Sequence, residues 1–243
     1  MSVDRTLAIA ERIVRQIVRD RRSLALIIVA PVIVMSLVGF SFADQQQVLD
    51  RIAPGLIAVF VLFFTFILTG VSFLRERAQG TLERLLTTPV GRVDILVGYT
   101  AGFLIFAMVQ SVVVLLFTVW ALGIDYQGTI WQIWVVLMLL IVVGVSLGIF
   151  ISTFARNEFQ VVQFIPILMA PQIFLSGAVA DVDKMPAPLE AIAYVLPLTY
   201  AVDGLKDIML RGDGLSDLGF ELGIMAAFGL ALLAAAAVTV RRP

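Results

Sequence analysis

Glu76, Arg77, Glu83 and Arg84 stand in the stretch RERAQGTLERLLTTPVGR, residues 75–92, among Leu82, Leu85, Leu86 and Pro89. The three leucines and the proline recur at i, i+3, i+4 and i+7, one face of a short helix. Gly80–Thr81 offers a start, with the Thr81 hydroxyl expected to cap free amides, and Pro89 a stop, because proline denies αR to its predecessor. An apolar stripe rimmed by both signs of charge suits a groove on another protein. A solvated loop that only holds the chain's topology would carry the same charges.

Bond-making chemistry finds little purchase elsewhere. The chain has no cysteine and no histidine, which removes disulfides, thiolate nucleophiles, Cys/His zinc sites and imidazole acid–base catalysis together. It has no G-x-x-x-x-G-K-[ST] loop and no Gly-Lys dipeptide, so ATP cannot be held in the usual P-loop manner. No catalytic residue, cofactor site or metal site is expected in this chain, and no nucleic-acid partner.

The elements that must hold residues 75–92 are apolar. Of 243 residues, 60% are hydrophobic and 14% charged, with a mean hydropathy of +1.03, well outside the range of soluble domains. The sequence predicts an all-α polytopic membrane protein with six spans at 24–42, 53–74, 95–121, 130–152, 159–179 and 220–240. Each has the roughly twenty apolar residues that a helix needs to cross hydrocarbon. With the N-terminus inside, the segments 1–23, 75–94, 153–158 and 241–243 hold 13 basic and 7 acidic residues. The other side keeps 4 basic residues, Arg51, Lys184, Lys206 and Arg211, against 11 acids. This bias places both termini in the cytoplasm of a cell-membrane (plasma or inner membrane) protein. Val3, Leu7, Ala10, Val14, Ile17 and Val18 recur at helical spacing opposite arginines, predicting an N-terminal amphipathic helix in the membrane interface.

No Asp, Glu, Lys or Arg falls inside the six predicted spans, which disfavours an ion-coupled carrier and leaves no carboxylate or base for an intramembrane enzyme. Thr65, Thr69, Ser72, Gln110, Ser111, Ser146, Gln160, Gln163, Gln172 and Ser176 read as interhelical hydrogen-bonding groups or the lining of an amphiphilic cavity. Gly144 and Gly148 read as a close helix contact. Phe60, Phe63, Phe64, Phe66, Phe159, Phe164 and Phe174 favour an amphiphilic substrate over a compact ion, or else pack against neighbours and lipid. Residues 180–219 are too apolar for a free loop. Leu189, Ile192, Ala193 and Leu196, then Leu205, Ile208 and Met209, are spaced to cover helical faces of non-spanning helices that cap a cavity, or that only stabilise the bundle.

RERAQGTLERLLTTPVGRVDILVGYTAGF (75–103) resembles the E-R-x-x-G-T-x-E-x-L-x-x-T-P signature of ABC-2 type transporter permeases. FLSGAVADVDKMPAPLEAIAYVLPLTYAVDGLKDIMLRG (174–212) is similar to their second motif, with Lys206 where arginine is commoner. The look is of short drug exporters of the daunorubicin-resistance type. The resemblance implies one transmembrane domain over 1–243: a connecting helix in 1–23, spans 1–2 in 24–74, a coupling helix in 75–94, spans 3–5 in 95–179, re-entrant outer helices in 180–219, and the last span with a cytoplasmic tail in 220–243. It also implies a permease subunit of an exporter driven by a separate ATP-binding subunit, which carries the ATP and Mg²⁺, and a second copy or paralogue completing the path. Glu76, Arg77, Gly80, Thr81, Leu82, Glu83, Leu86 and Pro89 would contact the ATPase. Phe63, Phe66, Thr69, Gln163, Gln172 and Phe174 would line the path of an amphiphilic drug or lipid. Pro186, Leu196, Pro197 and Tyr200 would belong to an outer gate of helices Pro186–Tyr194 and Thr199–Leu210, split by Pro197. A polysaccharide or glycolipid exporter of the same superfamily, and a non-transporting scaffold or sensor with an ATPase partner, share these features.

Overall fold

The computed structural model describes residues 3–87, 91–155 and 157–239. All regular elements among them are helical. They are α1 (Val3–Arg19), α2 (Arg21–Ser41), α3 (Gln46–Ala78), α4 (Thr81–Leu86), α5 (Arg92–Leu116, continued by a π turn Phe117–Ala121), α6 (Ile130–Ser152), α7 (Glu158–Leu175), a 3-10 turn Val182–Lys184, α8 (Ala187–Ala193), α9 (Pro197–Lys206, continued by a π turn Asp207–Arg211) and α10 (Gly219–Thr239).

Four helices among the described residues are long and apolar enough to cross a membrane: Gln46–Ala78, Val93–Ala121, Ile130–Ser152 and Gly219–Thr239. Ile28–Ser41 and Phe159–Leu175 are further apolar helical stretches among the described residues, lying in α2 and α7. The second of these stops before the expected residue 179, because Gly177 turns the chain with φ +83° just past Ser176. Pro166 and Pro171 lie within α7, each removing a backbone donor from its ladder.

α3 is the central helix. It packs along α6, whose other side carries α10, while α9 lies among α3, α6 and α10, and α1 rests on α5. The α3–α6 contact is close because Gly144 and Gly148 admit Thr65 and Thr69, and Cβ atoms on those glycines would lie 2.9 and 2.8 Å from them. Among its described side chains, α10 buries only Met225, Gly229 and Ala236, leaving most of its surface for lipid or another subunit.

One expected feature is extended and one corrected. In α1 the side chains packed inward are Thr6, Ile9, Ala10, Ile13 and Ile17, whereas Val3, Leu7 and Val18 are exposed. The helix therefore carries two apolar stripes, one seated on α5 and one turned outward. On the outer side, the second short helix begins at Pro197 rather than Thr199. Proline there occupies the first helical position, where its fixed φ and missing N–H are harmless, so Pro197 opens α9 rather than splitting a hairpin.

Candidate coupling site

The end of α3 is where the functional side chains collect. Gly80 ends that helix and starts α4 in one residue. Its N–H donates to the Arg77 carbonyl at 2.9 Å, and its own carbonyl accepts from the Arg84 N–H at 3.1 Å. Its φ is +67°, in the left-handed region that suits glycine. Thr81 is the first helical residue, one step past the cap, so the capping role expected for its hydroxyl passes to the Gly80 backbone. Leu85 is half-buried and packs on the core, while Arg84 and Thr87 are exposed. Pro89, and the side chains of Leu82, Glu83 and Leu86, lie outside the described residues.

Immediately before this turn, three consecutive residues of α3 reach three different neighbours. Arg75 pairs with Asp20, at the junction of α1 and α2, at 3.9 Å. Arg77 Nη1 donates to the Ser152 carbonyl at 2.6 Å, a cation on the C-terminal end of α6 where the helix dipole favours positive charge. Glu76 points inward. Its Oε2 accepts from Arg12 Nη2 and from the Tyr99 hydroxyl, each at 2.6 Å, and Arg12 Nη2 also donates to Tyr99 Oη at 2.6 Å. The Arg12 guanidinium lies 5.5 Å from the centroid of the Tyr99 ring, near enough for a cation–π contact. Glu76 is 2% exposed and Arg12 35%, so this is a charge-assisted knot uniting α1, α3 and α5. The expected position of Glu76 on the rim of an exposed leucine patch is corrected accordingly.

Neither Tyr99 nor Arg12 stands out by residue type or spacing in the sequence. A signal for the knot existed. Thr69, Phe73 and Glu76 follow at helical spacing, and all three are buried, so Glu76 continues the inward face of α3. A carboxylate on such a face requires a cation, and Arg12 adjoins the buried Ile13.

The residues expected along a path do not share one surface. Phe66 and Thr69 are enclosed at 0% exposure, within the buried face that α3 turns to α6. Gln172 is buried and accepts the Leu198 N–H at 3.2 Å, serving the start of α9. Phe63 is half-buried, and Gln163 and Phe174 are exposed on α7. Among the outer residues, Pro186 precedes α8 and is exposed, Leu196 caps α9, and Pro197 and Tyr200 are buried. Tyr200 donates to the Tyr194 carbonyl at 2.7 Å, with its ring edge-on to Phe220. Among the described residues no group of three or more Asp or Glu side chains could hold a metal ion.

Also on α9, burial lifts the Asp203 carboxyl to about 6; Lys206 opposes the shift, and Asp207, Glu221 and Asp183 add to it. The folded state therefore binds this proton more tightly than the unfolded chain, whose value is 3.8. The contribution of this carboxyl to stability is fully present below about pH 4 and is lost as pH rises through about 6, a difference of about 3 kcal/mol. Asp203→Asn is expected to raise the melting temperature in detergent at pH 8 and to leave it unchanged at pH 4. An equal shift at both pH values would show that the carboxyl is not the titrating group.

The profile of the family described as ABC-2 type transporter matches residues 4–210. "Probable multidrug ABC transporter permease YbhS" of Escherichia coli K12 is 30% identical over 163 residues, 67% of this chain and 43% of the relative. "Linearmycin resistance permease protein LnrN" of Bacillus subtilis 168 is 29% identical over 199 residues, 82% of this chain and 51% of the relative. "Inner membrane transport permease YhhJ" of Escherichia coli K12 is 27% identical over 184 residues, 75% of this chain and 49% of the relative. The chain thus spans about half, or less, of the length of the curated relatives it matches. With the family profile covering both the knot and the outer helices, this chain belongs to the ABC-2 type transporter family.

Proposed function

We propose that this chain is the permease subunit of an ATP-driven exporter, moving an amphiphilic drug or lipid outward with energy from a separate ATP-binding subunit. It crosses the membrane six times, α2, α3, α5, α6, α7 and α10 being the spans, with both termini in the cytoplasm. Two copies, or one copy and a paralogue, enclose the path. ATP and Mg²⁺ belong to the partner, which docks on the turn and helix after Gly80. The observation that carries this reading is the root of that turn. Arg75, Glu76 and Arg77 tie it to the α1–α2 junction, to α1 with α5, and to α6. A displacement of α4 toward a closing ATPase dimer is delivered to four helices within three residues of sequence. The names of two relatives, one for multidrug transport and one for linearmycin resistance, agree with an amphiphilic cargo.

The test is reconstitution with a co-expressed candidate ATP-binding subunit, in lipid nanodiscs. A stable complex should form, and an amphiphilic drug such as daunorubicin should speed ATP hydrolysis several-fold. A complex whose hydrolysis no drug, lipid or glycolipid alters would remove export and leave a scaffold.

A further inference from the structure

Four cations lie outside the segments assigned to the cytoplasm, on a side that carries eleven carboxylates. They come from separate parts of the chain: Arg51 from α3, Lys184 from the 3-10 turn, Lys206 from α9 and Arg211 from the π turn after it. All four nevertheless line one open cavity of about 430 Å³. Charges of one sign repel, so cations gathered in one place favour a bound anion wherever neighbouring carboxylates do not already balance them.

The carboxylate that lines the cavity, Asp181, does not balance them. Its Oδ2 lies 2.8 Å from Lys184 Nζ and 3.8 Å from Arg51 Nη2, and its Oδ1 lies 3.5 Å from Lys206 Nζ. Asp181 thus meets three cations, of which Lys206 also lies near Asp203, and the bond from Lys184, with Lys206 nearby, holds the Asp181 carboxyl below its usual range. Arg211 is paired separately with Asp207. Lys206, 21% exposed, is fixed by donating to the Gly177 carbonyl at 2.7 Å. Arg51 and Lys184, 73% and 75% exposed, keep solvent-facing donors beyond their contacts with Asp181. Val179 and Leu210 supply an apolar wall beside these charges.

We propose that Arg51, Lys184 and Lys206 form an anion-binding site for the phosphate-type headgroup of an amphiphile, whose apolar part lies against Val179 and Leu210. Asp181 holds the place of the anion when the site is empty. An arginine fork and two ammonium groups suit phosphate oxygens. That the site faces outward rests on the orientation proposed above.

Because the chain has no cysteine, Val179→Cys gives a single attachment point for an environment-sensitive fluorophore at the cavity wall. The labelled protein, purified in detergent, is titrated with dihexanoyl phosphatidylglycerol, dihexanoyl phosphatidylcholine and inorganic phosphate. The phosphatidylglycerol midpoint should fall about tenfold below that of phosphatidylcholine. Arg51→Gln with Lys184→Gln should raise it about tenfold, and Arg51→Lys with Lys184→Arg should restore it. Asp181→Asn should lower it, since a competing carboxylate is removed. A network that merely latches the loops predicts the opposite sign for Asp181→Asn. Coincident curves for the two lipids, or weaker binding in Asp181→Asn, would overturn the site, and the lipid comparison needs no variant in the charged residues. Inorganic phosphate matching phosphatidylglycerol would assign the site to the free anion and overturn the headgroup reading. Orientation is read separately, from whether a membrane-impermeant maleimide labels Val179→Cys in intact cells.

Discussion

Arg12→Ala is expected to destabilise the folded chain more than Glu76→Ala, and the double variant to recover part of the loss. The asymmetry follows from exposure. Glu76 is 2% exposed, and its Oε2 takes hydrogen bonds from Arg12 and Tyr99. Removing Arg12 leaves a carboxylate enclosed between α1, α3 and α5 with one neutral donor, a penalty of about 3 kcal/mol. Removing Glu76 instead leaves a guanidinium that is already 35% exposed and swings into water, at a loss of about 1 kcal/mol. Arg12→Ala with Glu76→Ala removes both charges, so it should melt above Arg12→Ala alone. Drug-stimulated hydrolysis in the reconstituted complex should behave differently. It should fall at least tenfold in all three variants, because α4 then moves without α1 and α5. Recovered melting without recovered stimulation would separate the coupling role from a structural one. Full stimulation in the double variant would reduce the knot to packing.

The helical architecture was legible because runs of twenty apolar residues admit little else, and the bounds of α6 and α10 fell within a residue of expectation. The direction in which individual faces point was not. Both stripes of α1 have three- and four-residue spacing, so periodicity alone could not tell that Ile9 and Ile13 meet α5 while Leu7 faces outward. The leucine pattern of 82–86 places Glu76 with the loop in the sequence, although it is the last buried residue of α3. The chain's true break is the positive φ of Gly80, four residues after Glu76, the last buried residue of α3. Phe66, Thr69 and Gln172 were expected along a path for a similar reason. A seam between two helices and the wall of an amphiphilic path draw on the same phenylalanine, threonine and glutamine, and only tertiary placement separates them. The outer cation cluster was invisible to spacing of any kind, since its members are spread from Arg51 to Arg211.

Gly148→Leu is expected to abolish folded protein, and Gly148→Ala to lower stability by about 2 kcal/mol. At this crossing of α3 and α6 a Cβ would lie 2.8 Å from Thr69 Cβ, 3.0 Å from the Gly70 nitrogen and 3.1 Å from the Phe66 carbonyl oxygen. Two of these atoms are backbone, and no rotamer change relieves the contact. The overpacking penalty of about 3 kcal/mol exceeds the gain of about 1 kcal/mol from replacing a helical glycine by alanine. Gly144 faces a softer neighbour, the Thr65 side chain, whose Cγ2 is 2.9 Å away, so Gly144→Ala should lose less. Gly223 on α10 meets nothing within 4 Å, and Gly223→Ala should be neutral or slightly stabilising. The monodisperse fraction and melting temperature of the three alanine variants in one detergent should therefore rank Gly223→Ala above Gly144→Ala above Gly148→Ala. Equal melting at all three would mean that α3 and α6 separate readily at this crossing. Thr65 and Thr69 carry enclosed hydroxyls with no hydrogen-bond partner among the described residues. Such an arrangement is maintained only where the surrounding backbone holds the two helices together, so the ranking tests whether that seam is the rigid axis on which the coupling knot is mounted.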